Sequence, residues 1–210
     1  MITRRDTLVL MGAAALAAKA GITPASAQNV NAAELLKPDP LGDVWLGPEG
    51  AKVSIVEYAS LTCGHCAHFH ATTFKELKKR YIDPGQVRFT LRPFALNQID
   101  TALYMVARSE PSRYYGITDL LFDTQDSWMR AAKPIESIKQ VLRQAGFSEE
   151  KFNATLKDQK LLEGINAIRE RASNVFKVDS TPTIFVNGVR QQGDTSIEKL
   201  ETLIKPALGA

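Results

Sequence analysis

The sequence Cys63-Gly64-His65-Cys66 places two thiols at the point where a strand pattern changes into a helix pattern. Residues 53–59, just before it, are rich in β-branched and aromatic side chains, which is typical of a buried strand. After it, apolar residues recur every three or four positions as far as Tyr81, which predicts an amphipathic helix. We therefore predict a redox-active pair of cysteines at the start of a helix.

The two cysteines are expected to differ in their chemistry. The first turn of a helix carries unpaired backbone N–H groups and the positive end of the helix dipole, so it favours a thiolate at Cys63. A thiolate attacks disulfides, and a stabilised thiolate is also a good leaving group. We assign Cys63 as the exposed, attacking sulfur and Cys66 as the inner, resolving sulfur. His65 lies between them and can favour the Cys63 anion by charge or by a hydrogen bond.

Other uses of these residues are less favoured. A c-type haem site needs a histidine directly after the second cysteine, where this chain has Ala67. Structural zinc sites usually draw their ligands from two separated segments, whereas every candidate here lies in one stretch. Those candidates are Cys63, Cys66, His68 and His70. A purely structural disulfide would usually close a longer loop. We expect neither a metal nor a dissociable cofactor.

Residues 1–27 have the pattern of a cleaved export signal. A basic start at residues 4–5 precedes an apolar core at 8–18 and a small-x-small cleavage site at 25–27. The apolar core is too short to span a bilayer comfortably. The start resembles a twin-arginine signal, but Thr7 stands where that pattern prefers an aromatic residue, so both general and twin-arginine export remain open. We predict a periplasmic protein.

The composition agrees with a globular exported domain. The chain is long enough for one domain, or for a small domain that carries an insert. Its only two cysteines are those of the motif, so no other thiol is available for a structural bridge, although an exported protein could form one. The net charge of +3 includes basic residues of the signal, and nothing in the sequence indicates nucleic-acid binding.

The remaining patterns divide the chain into a strand-rich beginning, a helical middle and a strand-rich end. The first part has predicted strands at 43–46, 53–59 and 87–91. The middle has predicted helices at 101–108, 114–122, 135–145 and 161–173, one more capped by Ser148, and a polar loop after Phe122. The end has a hairpin at 183–190, whose Asn187-Gly188 suits a type I′ turn, and a last helix capped by Thr195 and Glu198.

This order of elements, with Thr181-Pro182 just before the hairpin, resembles the thioredoxin fold. The long helical segment before that Thr-Pro pair is similar to the insert of the DsbA-like thiol:disulfide oxidoreductases. The resemblance covers essentially all of the chain after the signal. It implies an α/β, thioredoxin-like domain formed by residues 28–96 and 175–210, with an inserted α-helical domain at 97–174.

The resemblance also implies roles for individual residues. Pro182 would be cis and face the cysteines, and Thr181 would offer main-chain groups to an extended substrate. Glu57 matches the buried acid that relays protons to the inner cysteine in this family. From the residues alone, a trans turn proline and a solvated glutamate remain open. The dipeptide Gly64-His65 is that of protein disulfide isomerases, where DsbA has Pro-His, so the oxidising strength is open.

As a member of this group, the protein would donate its Cys63–Cys66 disulfide to reduced exported proteins. A quinone-linked membrane partner like DsbB would reoxidise it. A periplasmic isomerase or reductase would use the same residues, but DsbC-type proteins are dimers through a separate N-terminal domain. The short lead-in at residues 28–40 leaves no room for such a domain, so we expect a monomer. A non-enzymatic alternative is a chaperone that binds peptides beside Pro182.

Overall fold

A mixed β-sheet lies at the centre of the computed structural model, which describes residues 29–192 and 196–209. Within these residues the strands are β1 (Trp45–Leu46), β2 (Val53–Ala59), β3 (Val87–Pro93), β4 (Thr183–Val186) and β5 (Val189–Gln192). Their order across the sheet is β1-β3-β2-β4-β5. The pair β2 and β3 is parallel and the other neighbouring pairs are antiparallel. Because β2 lies between β3 and β4, it is an interior strand.

The helices precede, interrupt and follow this sheet. In the described residues they are α1 (Ala32–Leu35), α2 (64–82), α3 (Gln98–Arg108), α4 (Tyr114–Asp123), α5 (Gln125–Met129), α6 (Pro134–Gln144), α7 (Glu149–Thr155), α8 (Gln159–Phe176) and α9 (Ile197–Leu208). A short 3₁₀ turn, Pro111–Arg113, precedes α4. Helix α2 is continuous but contains two π-helical segments, His70–Phe74 and Lys78–Ile82.

Both faces of β2 are buried, and they contact different helices. All seven residues of β2 are buried, which agrees with the continuous apolar run in the sequence. Ile55 belongs to the same core cluster as Phe69 of α2, whereas Val56 packs in a second cluster with Phe176 of α8. Because successive residues of a strand point to opposite faces, Glu57 lies on the same side as Ile55. A carboxylate is therefore placed under α2.

The predicted succession of helices between the strands is present from Gln98 to Phe176. One expectation in this part was wrong: the polar stretch after α4 is not a loop but the short helix α5. Trp128 is buried and its indole N–H donates to the carbonyl of Leu121, and the buried Gln125 side chain donates to the carbonyl of Leu61. These tertiary contacts stabilise a helix that its polar composition does not predict.

The hairpin and the last helix follow the sequence pattern with one correction. Asn187 and Gly188 both have positive φ, 47° and 85°, which confirms the type I′ turn. Helix α9 is capped by Ser196, whose side chain accepts the N–H of Lys199. The expected cap, Thr195, lies outside the described residues.

These elements confirm the predicted α/β, thioredoxin-like fold. The register also brings two predicted segments together: Tyr58, near the end of β2, pairs with Thr183, the first residue of the antiparallel β4. The loop that follows β2 and the loop that precedes β4 therefore lie at the same end of the sheet. Within residues 29–192 and 196–209, none of the helices has the length and apolar character needed to cross a membrane.

Candidate active site

Cys63 lies at the start of α2, and the chain has brought the Thr-Pro pair beside it. Cys63 is the N-cap residue of α2 and is half-buried, whereas Cys66, one turn later, is fully buried. The Sγ of Cys63 lies 3.4 Å from the backbone carbonyl oxygen of Thr181. The Thr181–Pro182 peptide bond is cis, as expected, so the alternative of a trans turn proline is wrong.

The surroundings of Cys63 favour its thiolate. A hydrogen bond from the Cys66 thiol is the largest of the effects that lower the pKa of Cys63 to about 5, and partial burial opposes them. The Thr181 hydroxyl and the backbone N–H groups of Cys66 and His65 contribute further hydrogen bonds. The His65 ring is exposed, and the hydrogen bond that this residue gives to Cys63 comes from its backbone N–H. At neutral pH the Cys63 sulfur is therefore almost entirely an anion.

The surroundings of Cys66 do the opposite. Burial, first of all, raises the pKa of the Cys66 thiol well above its ordinary value. Its hydrogen bond to Cys63 and the negative charge of Glu57 act in the same direction. When the pair is reduced, one sulfur is held as an anion and the other as a thiol, which is the asymmetry that the sequence predicts for an attacking and a resolving cysteine.

Glu57 is completely buried, so the alternative of a solvated glutamate is wrong. Its Oε2 lies 2.9 Å from Nε2 of His70, which is also buried. His70, one of the residues considered for a zinc site, is thus a partner of Glu57, and its ring stacks on Phe122 with 4.2 Å between ring centroids. Nothing in the sequence pairs His70 with Glu57, because the contact joins a strand to a helix.

Two further side chains hold the loop before Cys63, and the sequence did not single them out. Asp100 is buried and accepts the N–H groups of Leu61, at 2.8 Å, and Leu96, at 2.9 Å. Burial raises the pKa of Asp100 to about 6. The amide of Gln125 donates to the carbonyls of Leu61, at 2.8 Å, and Cys63, at 3.1 Å. In the sequence, Asp100 has the pattern of an ordinary acid in the first turn of a helix, and Gln125 lies in a polar stretch.

The fold and the paired thiols define a dithiol protein with a thioredoxin-like architecture. A family model described as Thioredoxin matches residues 40–206, and the chain belongs to this family. Its more particular likeness is to the DsbA group, as the resemblance from the sequence predicted.

Individual relatives support that likeness. A Rickettsia felis protein, provisionally named a protein-disulfide oxidoreductase, is 32% identical over 168 residues, which cover 79% of this chain and 60% of the relative. The chain thus spans about 60% of the length of the first curated relatives that it matches. Disulfide bond formation protein D of Bacillus subtilis is 26% identical over 167 residues, covering 72% of this chain and 70% of that protein.

Solved structures agree with these relatives. The crystal structure of alpha-DsbA1 from Wolbachia pipientis superposes with a TM-score of 0.77 and 26% identity, covering 84% of this chain and 95% of that one. BdbD of Bacillus subtilis, in its oxidised form, has a TM-score of 0.73 at 17% identity, covering 88% of this chain and 100% of that one, and supports the fold alone.

Proposed function

We propose that this protein is a DsbA-like thiol:disulfide oxidoreductase that donates its Cys63–Cys66 disulfide to reduced proteins. The observation that carries the proposal is the contrast between the two sulfurs, since the pKa of Cys63 is lowered to about 5 and that of Cys66 is raised. A stabilised thiolate at Cys63 stabilises the reduced form of the enzyme. An enzyme whose reduced form is stabilised is a strong oxidant, because reduction of its disulfide is favourable.

The reaction then has two exchange steps. A substrate thiolate attacks the sulfur of Cys63, the Cys63–Cys66 bond breaks, and its electron pair goes to the Cys66 sulfur, which takes up a proton. A second substrate thiolate attacks the substrate sulfur of the mixed disulfide, and Cys63 leaves as a thiolate. The substrate loses two electrons and gains a disulfide, and the enzyme ends as a dithiol.

Thr181 and Pro182 would position the substrate in these steps. Because the Thr181 carbonyl lies 3.4 Å from the Cys63 sulfur, a peptide that pairs with the main chain here would bring its own cysteine to Cys63. His65 would donate its backbone N–H to the Cys63 thiolate, and the buried Glu57, whose negative charge favours the thiol form of Cys66, would relay protons to Cys66. These are the roles that we propose for the residues singled out in the sequence.

The place of the reaction and its partners are also part of the proposal. The signal pattern of residues 1–27 and the likeness to DsbA support export to the periplasm, where reduced exported proteins would be the substrates. A DsbB-like, quinone-linked membrane protein would reoxidise a monomeric enzyme. We also propose that residues 28–96 and 175–210 form the thioredoxin-like domain and that 97–174 form its insert.

A redox equilibrium with glutathione tests the direction of the reaction. We expect a potential closer to the value of about −120 mV found for DsbA than to the value of about −270 mV found for thioredoxin. Oxidised protein mixed with a reduced two-cysteine peptide should pass its disulfide to the peptide, as read by mass spectrometry. A potential near that of thioredoxin would make the protein a reductase.

The Gly64-His65 dipeptide favours a second candidate, a disulfide isomerase. An isomerase is expected near about −180 mV and should rearrange a scrambled disulfide protein faster than it oxidises a reduced one. The variant with both Cys63→Ser and Cys66→Ser separates either redox activity from chaperone action. If that variant still protects unfolded proteins from aggregation as well as the natural protein does, peptide binding is the function.

A further inference from the structure

The buried part of the active site contains a histidine to which the exchange steps above give no role. Cys66 and His70 are four positions apart on α2 and therefore share one face of the helix. That face packs on β2, where Glu57 lies with its Oε2 2.9 Å from Nε2 of His70. We call Cys66, Glu57 and His70 the floor of the site. The side chains of Glu57 and His70 have 0% and 3% of their surface exposed.

Each of the two partners keeps one polar atom that is not used by the other. Within residues 29–192 and 196–209, Oε1 of Glu57 and Nδ1 of His70 are buried and have no hydrogen-bond partner. Burial of an unpaired polar atom costs free energy, so each such atom in a folded protein needs an explanation. The negative charge of Glu57 acts on the Cys66 thiol. Glu57 and His70 are hydrogen-bonded to each other, and each has a second polar atom available to accept or donate a proton, as the members of a proton pathway require.

The His70 ring is held in one orientation. It stacks on Phe122, with 4.2 Å between centroids, and lies 4.7 Å from the ring of Phe74. His70 also opens the π-helical segment His70–Phe74, and such segments inside α-helices are frequent at functional sites. Both ends of the ring are therefore fixed, with Nε2 at Glu57 and Nδ1 on the side of Asp119.

The Nδ1 side of the ring leads toward solvent. Nδ1 lies 3.9 Å from Oδ1 of Asp119, a distance that a water molecule can bridge, and the Asp119 side chain is 47% exposed. A cavity of about 100 Å³ lies here, which is large enough for water. The charged side chains around His70 are Glu57 on β2, Asp119 and Asp123 on α4, and Lys75 and Lys78 on α2 itself.

We propose that His70 carries protons between this water-accessible cavity and the Glu57–Cys66 pair during disulfide exchange. The inference rests on the proposed function, in which a buried Cys66 sulfur must take up a proton when the disulfide opens. Nδ1 of His70 takes a proton from water while Nε2 donates one to the carboxylate of Glu57, and the carboxylic acid formed in this way donates that proton to the Cys66 sulfur. Reoxidation runs the same transfers in reverse, so each group returns to its starting state.

Substitutions of His70 separate proton transfer from mere packing. His70→Gln keeps an N–H that can donate to Glu57 but cannot carry a proton, and His70→Phe removes the hydrogen bond but keeps an aromatic ring beside Phe122. The matched control is His68→Gln, an exposed histidine on the same helix. The measurement is the rate at which a reduced two-cysteine peptide reduces the enzyme disulfide between about pH 5 and 9, in H₂O and in D₂O.

We expect both His70 variants to lose about tenfold or more of that rate at pH 7, since a positioned acid–base group contributes at least that much. Their pH profiles and solvent isotope effects should differ from those of the natural protein, while the Cys63 thiolate still titrates near pH 5. His68→Gln should behave like the natural protein. Asp119→Asn, at the entrance of the cavity, should slow the same step about threefold or more.

Three outcomes would overturn the inference. If His70→Gln keeps the natural rate and pH profile, His70 is a hydrogen-bond partner only. If His70→Phe fails to fold, the His70→Gln and Asp119→Asn results still decide, and natural rates in both reject the pathway. If the natural protein transfers no disulfide to the peptide, both the proposed function and the inference fail. If the natural protein is active but its rate does not depend on His70, only the inference fails.

Discussion

The two ends of the active site treat chemically identical groups in opposite ways. The rim of the site is formed by Cys63, His65, Thr181 and Pro182, and the floor by Cys66, Glu57 and His70. At the rim, a half-buried sulfur receives hydrogen bonds that stabilise its anion. At the floor, burial opposes the ionisation of the Cys66 sulfur most strongly, and its hydrogen bond to Cys63 and the charge of Glu57 act in the same direction.

The difference shows that position relative to the helix, rather than residue type, sets the chemistry of each thiol. Cys63 precedes the first turn of α2, so backbone N–H groups are available to it. Cys66 lies one turn further, where the backbone N–H groups begin to be used within the helix and the side chain points at the sheet. Three positions of sequence are enough to lower the pKa of one sulfur and to raise the pKa of the other.

The largest expected effect comes from removing one sulfur at a time. Cys63→Ala should lower disulfide transfer to a reduced peptide by more than about 1,000-fold, because the group that substrate attacks is lost. Cys66→Ala should also stop turnover, but its half-buried Cys63 should form a mixed disulfide that persists with a peptide of one cysteine, because no second thiol is present to displace it. Mass spectrometry of the two variants after mixing with the disulfide-linked dimer of such a peptide checks this. A persistent adduct on Cys63→Ala, through Cys66, would reverse the assignment of rim and floor.

The pH dependence of the redox equilibrium sharpens the same comparison. The pKa of Cys63 is lowered from 9.0 to about 5, so the stabilisation that its anion gives to the reduced form is complete above pH 9 and is lost progressively as the pH falls to about 5. Reduction by glutathione then releases one proton from the enzyme. We expect the equilibrium constant for reduction to rise about tenfold per pH unit from pH 6 to 8 and to level off below pH 5.

Quenched samples in glutathione buffers, with the two forms counted by thiol alkylation, give that slope. A flat line between about pH 6 and 8 would mean that Cys63 is not ionised when it is reduced, and the rim would then be no different from the floor.

The rim was largely predictable from the sequence, and the floor was not. The spacing of Cys63 and Cys66 and the start of a helix are local features, and they were sufficient to assign an attacking and a resolving sulfur. The Thr-Pro pair was placed beside Cys63 only through the resemblance to a family, since the contact spans 118 positions.

The floor depends on contacts between elements that no local pattern joins. Glu57 lies in an apolar run, where the family resemblance suggested burial but the residue itself did not. His70 continues the helical pattern of α2, and its sequence neighbours make it a candidate zinc ligand. Its contact with Glu57 depends on the packing of α2 against β2, which no local pattern predicts. Asp100 and Gln125 hold the loop of the rim from the helical part of the chain, and a sequence pattern carries no signal for such a contact.

A smaller effect tests whether the helical part supports the rim. Gln125→Ala removes the amide that donates to the carbonyls of Leu61 and Cys63, and it should lower the free energy of unfolding by about 1–3 kcal/mol. The matched control is Gln144→Ala, an exposed glutamine at the end of α6, which should change it by less than about 0.5 kcal/mol. Urea unfolding of the oxidised proteins measures both. Equal, small changes would mean that the Gln125 contacts do not stabilise the loop before Cys63.

The smallest effect concerns a single hydroxyl at the rim. Thr181→Val removes the side-chain hydrogen bond to the Cys63 sulfur while keeping the shape of the residue, so it should raise the pKa of Cys63 by about one unit. Thr181→Ser keeps a hydroxyl and is the control. The ultraviolet absorbance of the thiolate, followed against pH, measures the change. A Cys63 pKa that is higher by one unit stabilises the reduced form less, so the enzyme should become about tenfold less oxidising at pH 7. The floor does not involve this hydroxyl, so Cys66 should be unchanged. If the pKa of Cys63 in Thr181→Val equals that of the natural protein, the hydroxyl does not stabilise the thiolate, and the backbone N–H groups of the helix start and the Cys66 thiol do.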